Sequence, residues 1–390
     1  MKLKHLTMKL NPSVHHANHW NITRDDPLSV KSHAELCYTK AREIYARIGD
    51  DGGQAKTEFG LGEIYRQLSK YDQAASSYTK AQSIYARIGH DENQANAFYC
   101  LGEVYHLQSK FDEAASSYTT AQSIYARIGH DKNQANAFYC LGEVYHRQCK
   151  YYQAVSSYTE AKKICVRIVD SEGRAKALCG LGKVYCEQSK YNQAESSYTE
   201  AEVIYARIED DGGRANVFYG SGEVYYRQSK YDQAALSYTQ AQAIYARIDN
   251  KEGRAKALHG LGEIYRQQSR YDEAASAYAK AQKSSTVDKT RANALYGLGE
   301  VYRRQSKYNE AASSHSKAGE AYARAGDVGG RAKALYGLGE VYREQSNFRR
   351  AAEAYTEAEK DYARIGEDGG QANALYSLGE VRRQQSGYVL

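Results

Sequence analysis

A Leu-Gly-Glu triplet and its near variants return along the chain, placing Gly62, Gly102, Gly142, Gly182, Gly222, Gly262, Gly299, Gly339 and Gly379 at steps of 40 residues, with one step of 37. A fixed period of this size means one supersecondary unit copied many times. Such a unit cannot bury its apolar face alone and must stack on its neighbours. The block beginning at Ser76 reappears at Ser116 with two changes, Lys80 to Thr120 and Glu92 to Lys132. So close a match points to recent tandem duplication, and a motif seen in one copy has to be weighed against its counterparts.

Each unit divides into two helices. Ala255, Leu258, Leu261, Gly262 and Tyr265 fall three and four residues apart, which stacks them on one helical face. Ala234, Tyr238, Ala241, Ile244, Tyr245 and Ile248 do the same for the second helix. Small residues at 234, 241 and 262 let backbones approach while Tyr and Ile fill the spaces between. Composition agrees: the two Pro, Pro12 and Pro27, leave everything from Leu28 onward free of imide breaks, and 38 Tyr stand against one Trp and six Phe.

The punctuation supports this division. Ser69, Ser109, Ser229 and Ser269 each precede an acid by three residues or stand where one does, a capping-box-like start for the second helix. Gly49, Gly89, Gly129 and Gly366 follow an Arg-Ile pair, which suits a left-handed helix end with a cation in the last turn. Cys149 interrupts the Ser pattern, and a looser turn is expected there.

On these residues the chain resembles a tetratricopeptide repeat array. Leu261, Gly262, Tyr265, Tyr271, Ala274, Tyr278 and Ala281 match the family's small and large positions, as do Leu338, Gly339, Tyr342, Phe348, Ala351, Tyr355 and Ala358. The unit is longer than the family's usual ~34 residues, Ser replaces the usual Gly between the helices, and the closing Pro is absent. The longer format is similar to that of Pins/LGN-type spindle adaptors, kinesin light chains and the repeat tails of STAND-type NTPases. The resemblance implies an all-α, right-handed α-α superhelix, a TPR solenoid of about 18 antiparallel-paired helices.

The expected organisation is an irregular or disordered segment over 1–29, the array over 30–386 and a tail over 387–390. The array opens on an unpaired second helix and closes after a first helix. The short step falls at 282–291, where the apolar turn Ile-Tyr-Ala-Arg-Ile of other copies is lost, so a weak joint is expected there. His15, His16 and His19 have no nearby thiol or carboxylate partner and read as a polar tail; no metal site is expected. Seven Cys without a CxxC pair suggest neither a disulfide framework nor zinc. A net charge of +6 from interleaved signs does not argue for nucleic acid, and no apolar run is long enough for a membrane span. A cytoplasmic protein is expected.

No catalytic constellation or cofactor loop emerges. Gly260-Leu-Gly262 and Gly297-Leu-Gly299 follow no strand and read as packing residues. Glu103 with His106, and Glu143 with His146, are copies of one helix face and favour a structural ladder over acid-base chemistry. A non-enzymatic scaffold or adaptor binding a protein or extended peptide is therefore expected.

The family resemblance places the binding groove on the first helices. Carried over by register, it holds Asn96, Tyr99, Glu103 and His106; Tyr139, Glu143 and Arg147; Asn216, Tyr219, Glu223 and Arg227. It continues with Lys256, Glu263 and Arg266; Tyr296, Glu300, Arg303 and Arg304; Lys333, Tyr336, Glu340 and Arg343. Tyr would supply apolar contact, Arg would meet acidic partner residues and the Glu row would select basic ones. Some acid-base pairs three residues apart neutralise themselves, and Glu263→Lys is expected to leave stability nearly intact. The Glu row repels a carboxylate, which argues against the chaperone C-terminal clamp of some family members. Two alternatives stay open: the sensing tail of a STAND-type NTPase, and a self-associating structural protein.

Overall fold

The structure, a computed structural model, describes residues 27–387. The three histidines of the proposed polar tail lie outside the described residues. Eighteen α-helices and no strand make up what is described. Residues 27–109 and 110–387 form two compact units. The first contains α1 (Pro27–Ile48), α2 (Asp51–Gln67), α3 (Tyr71–Arg87) and α4 (Asp91–Leu107).

The second unit opens with α5 (Phe111–Arg127) and continues in pairs: α6 (Asp131–Arg147) with α7 (Tyr151–Arg167), and α8 (Ser171–Glu187) with α9 (Tyr191–Arg207). Next come α10 (Asp211–Arg227) with α11 (Tyr231–Arg247), and α12 (Lys251–Gln267) with α13 (Tyr271–Ser284). The last pairs are α14 (Asp288–Arg304) with α15 (Tyr308–Arg324), and α16 (Val328–Glu344) with α17 (Phe348–Ile365). A closing first helix, α18 (Asp368–Gly387), ends the described chain. Helices follow one another as antiparallel neighbours, the all-α solenoid expected from the period.

The core is a row of rings seated between glycines. Tyr278 of α13 is fully buried. A Cβ on Gly262 of α12 or on Gly297 of α14 would come within 2.6 Å of its ring. Tyr158 is held the same way by Gly142 and Gly180, Tyr238 by Gly222 and Gly260, and His315 by Gly299 and Gly337. The Gly-Leu-Gly segments are thus packing residues, because only a bare Cα admits the ring from the neighbouring helix. Ala234, Ala241, Ala255 and Ala274 are fully buried at the remaining close crossings.

The turns divide into two kinds. Asp50, Asp170, Asp210, Asn250 and Asp327 cap first helices, each side chain accepting from the amide of a Gly three residues on, at 2.8 or 2.9 Å. Gly49, Gly89, Gly129 and Gly366 are left-handed, with φ of 67° to 72°. The serine turns differ from the expected capping box. Ser69, Ser109, Ser229 and Ser269 have φ between 57° and 59° and close the preceding helix. The N-cap of α3 is Lys70, with no side-chain bond, and the amides of Ser69 and Lys70 bond back to Arg66 and Tyr65 carbonyls at 3.0 and 2.8 Å. Cys149 forms the same turn rather than a looser one: φ is 56°, and the returning bonds measure 3.0 and 2.9 Å.

At the short step α13 has 14 residues where α12 and α14 have 17. Polar links replace the lost apolar turn. Ser285 donates to Glu252 at 2.9 Å, Thr290 also donates to Glu252, and Arg291 donates to the Ser285 carbonyl at 2.9 Å.

Candidate functional site

Within the second unit, successive first helices from α6 to α16 pack against one another, and successive second helices do not to that extent. The first helices therefore form one continuous layer of this unit. Their exposed face bears the residues predicted for binding. Asn96, Tyr99, Glu103 and His106 belong to α4, in the separate first unit.

The aromatic row is half-buried and rests on the rings of the second helices. Tyr139 lies 5.5 Å from Tyr158, Tyr219 lies 5.5 Å from Tyr238, Tyr296 lies 5.4 Å from His315, and Tyr336 lies 5.4 Å from Tyr355, all tilted or edge-on. Each ring is thus held from the core side and stays half-exposed.

The Glu row is tied into the architecture more firmly than its spacing suggested. Four of its carboxylates accept from a buried phenol of the paired second helix: Tyr158 to Glu143, Tyr238 to Glu223 at 3.0 Å, Tyr278 to Glu263 at 2.5 Å and Tyr355 to Glu340 at 2.5 Å. Arg266, Arg303 and Arg343 then close on Glu263, Glu300 and Glu340 at 2.6, 3.0 and 2.6 Å. Arg303 also bridges to Glu344 at 2.7 Å. Burial opposes ionisation of Glu263, but the Tyr278 hydroxyl and Arg266 outweigh it and hold the carboxyl below its usual range. At Glu300 burial is likewise overcome by His315 and Arg303, and the carboxyl falls to about 2. Burial and the carboxylate together push the Tyr278 hydroxyl far up, so it stays a donor.

The cations split into two groups. Arg266, Arg303 and Arg343 are engaged by the Glu row. Arg147, Arg227, Lys256, Arg304 and Lys333 are exposed and, among the described residues, make no ion pair. Asn216, also exposed, accepts from the Tyr245 hydroxyl at 2.6 Å.

One stretch of this wall escaped the sequence reading. A cavity of about 440 Å³ opens between α6, α8 and α10, lined by Cys179, Lys183, Glu187 and Tyr198 together with Tyr139 and Tyr219. Aligning the copies on their Gly would have exposed it. Cys179 stands where other copies hold Phe59, Tyr99, Tyr139, Tyr219, His259, Tyr296, Tyr336 and Tyr376. Lys183 stands where they hold Glu.

No group of side chains among the described residues could hold a metal ion. No described helix is long and apolar enough to cross a membrane. The Cys are unpaired, and burial pushes the Cys165 and Cys186 thiols up to about 11, away from reactivity.

The profile of the tetratricopeptide repeat family matches residues 54–127, 133–207, 211–285 and 290–364, each match covering four consecutive helices. The chain belongs to the tetratricopeptide repeat family. Among solved structures, the tetratricopeptide array is similar to the apo form of the quorum sensor NprR from B. thuringiensis. The TM-score is 0.59 at 14% identity, over 86% of this chain and 97% of that one. It is similar also to a STAND protein with a tetratricopeptide repeat sensor from Pyrococcus horikoshii, with TM-score 0.55 at 16% identity, over 81% of this chain and 53% of that one. A tetratricopeptide repeat protein from Parabacteroides merdae gives a TM-score of 0.50 at 17% identity, over 68% and 91% of the two chains. At these identities the likeness is one of fold. No curated protein sequence matches the chain.

Proposed function

We propose that the chain is a non-enzymatic interaction scaffold whose first-helix wall binds a protein or an extended peptide. The observation that carries this reading is the division of charge on the wall. Most of its carboxylates are satisfied from within, whereas Arg147, Arg227, Lys256, Arg304 and Lys333 stand exposed without ion pairs beside a row of half-fixed Tyr rings. Rigid aromatic faces with free cations give the composition of a recognition surface for a segment carrying acidic side chains. Two of the structural neighbours are described as sensors, and a sensing repeat region within a STAND-type NTPase is the second reading. An encoded upstream GxxxxGK[ST] segment would favour it.

The test is selection of displayed random peptides of about 20 residues, long enough at ~3.3 Å per residue to cross several first helices. Selected peptides are then measured against wild type, against Lys256→Glu/Arg304→Glu/Lys333→Glu on the wall, and against Lys163→Glu on a second helix. Loss of binding in the wall variant alone supports the proposal. Equal binding by all three proteins refutes it.

A further inference from the structure

The pair α8 and α9 departs from the other copies at two positions of the first helix, Cys179 and Lys183. Elsewhere an aromatic ring rests on the ring of the second helix, as Phe59 on Tyr78 at 5.4 Å, or His259 on Tyr278 at 5.5 Å. Cys179 supplies no ring, and the space it leaves is the cavity of about 440 Å³. In five other copies the phenol beneath donates to a Glu of its own pair. Tyr198 would have to reach Lys183 instead. Its side chain is 6% exposed and lines the cavity, and among the described residues its hydroxyl has no hydrogen-bond partner. The hydroxyl opens onto the cavity and is left there as a donor that no acceptor among the described residues engages.

The charges around the cavity alternate. Along one row run Glu143, Lys183 and Glu223; one turn further along the same helices run Arg147, Glu187 and Arg227. The basic residue that neutralises Glu263, Glu300 and Glu340 three positions on is replaced here by His146, Cys186 and Tyr226. Glu143 and Glu223 are held on one oxygen by Tyr158 and Tyr238, and Glu187 is held on one oxygen by His146 at 2.8 Å. Tyr219 and Tyr151 also bond to Glu223 and Glu187, and among the described residues no ion pair neutralises Glu143 or Glu223. Lys183 is exposed and makes no ion pair with any of the three.

We infer that α6, α8 and α10 form a subsite for an extended peptide segment that presents one acidic side chain to the α8 cavity and a basic side chain about three residues to either side. This deepens the scaffold reading and rests on it. Packed helices stand about 10 Å apart, and an extended chain advances ~3.3 Å per residue, so about three residues separate side chains that meet successive first helices. The acid meets the Lys183 ammonium and accepts from the Tyr198 hydroxyl. The flanking bases meet the outer oxygens of Glu143 and Glu223. A ring at position 179 would fill the cavity, and a Glu at 183 would accept the phenol's hydrogen bond and repel the acid.

The test uses immobilised libraries of peptides about nine residues long, randomised except for Lys three positions either side of a central Glu, Gln or Lys. The full chain is expected to retain the Glu-centred library at least about tenfold better than the Gln-centred one. Lys183→Glu, which restores what the other copies carry and so preserves the fold, is expected to abolish that preference, and Cys179→Tyr to block the Glu-centred library. Equal retention of the Glu and Gln libraries by wild type overturns the inference, as does an unchanged preference in Lys183→Glu. The scaffold reading stands or falls separately, on Lys256, Arg304 and Lys333, which lie outside the cavity.

Discussion

The hydroxyl of Tyr238 donates to Oε1 of Glu223 at 3.0 Å, joining the buried ring of a second helix to the outward face of the first helix it pairs with. Tyr278 and Glu263, and Tyr355 and Glu340, repeat the bond. The same residue thus serves two surfaces, since one carboxylate oxygen secures the core and the other remains on the wall. Stability and recognition are coupled through it.

Glu263→Lys is therefore a destabilising change, contrary to the expectation from spacing alone. It removes the acceptor of a fully buried phenol and sets a second cation beside Arg266. A loss of about 1–3 kcal/mol is expected, read as a lower urea midpoint. Tyr278→Phe in the same background should recover part of it, because no orphaned hydroxyl remains.

The glycines separate by what faces them. A Cβ at Gly262 would meet Tyr278 at 2.6 Å, whereas one at Gly379 would meet nothing within 4 Å. Gly262→Ala should cost about 1–3 kcal/mol by overpacking, and Gly379→Ala should be neutral or stabilising by up to ~1 kcal/mol through helix propensity. Thermal unfolding of the two variants should move in opposite directions or, at least, only the first should fall.

Periodicity made the fold legible because a 3.6-residue face and a repeating Gly are properties of one chain segment. The helix pairs, the left-handed glycines and the packing role of Gly262 were all recoverable that way. The serine turns were misread because Ser-x-x-acid satisfies a capping box and a helix end equally well, and only φ at Ser69 or Ser229 decides between them. Register assigned these residues to the first-helix face, but which of their charges are free was not visible. Arg303 and Arg304 are adjacent in sequence, yet Glu300 closes on the first and not on the second. The α8 cavity is defined by a missing ring at Cys179, and an absence shows only when copies are compared.

The serine turns hold a strained backbone. Ser229 has φ of 58° without the freedom of glycine. Ser229→Gly should raise stability by about 0.5–1 kcal/mol by relieving the left-handed penalty, and Gly89→Ala, at φ 72°, should lower it. Chemical denaturation of both variants checks the pair.

Acid should weaken the fold through Glu300. Its carboxyl titrates near 2 in the folded chain against an ordinary 4.5, so its contribution is complete above the unfolded value and is lost as pH falls from 4.5 through about 2. The stability difference between wild type and Glu300→Gln should shrink over that window and stay constant above it. A difference that is flat down to pH 2 would contradict the assignment.

The short step gives a further contrast. The part-buried polar links at Ser285, Thr290 and Arg291 replace a buried apolar turn, and a segment with fewer buried apolar contacts opens more readily. Amide exchange at 282–291 should be faster than at 242–251; equal rates would remove the proposed weak joint.

The central claim is that ligands meet the first helices, and photo-crosslinking tests it most directly. A p-benzoylphenylalanine probe replaces Tyr219 on the wall or Tyr152, which is 83% exposed on the second helix α7. A selected peptide is added and the product analysed by mass. The account predicts an adduct from position 219 and none from 152; an adduct from 152 alone would contradict it.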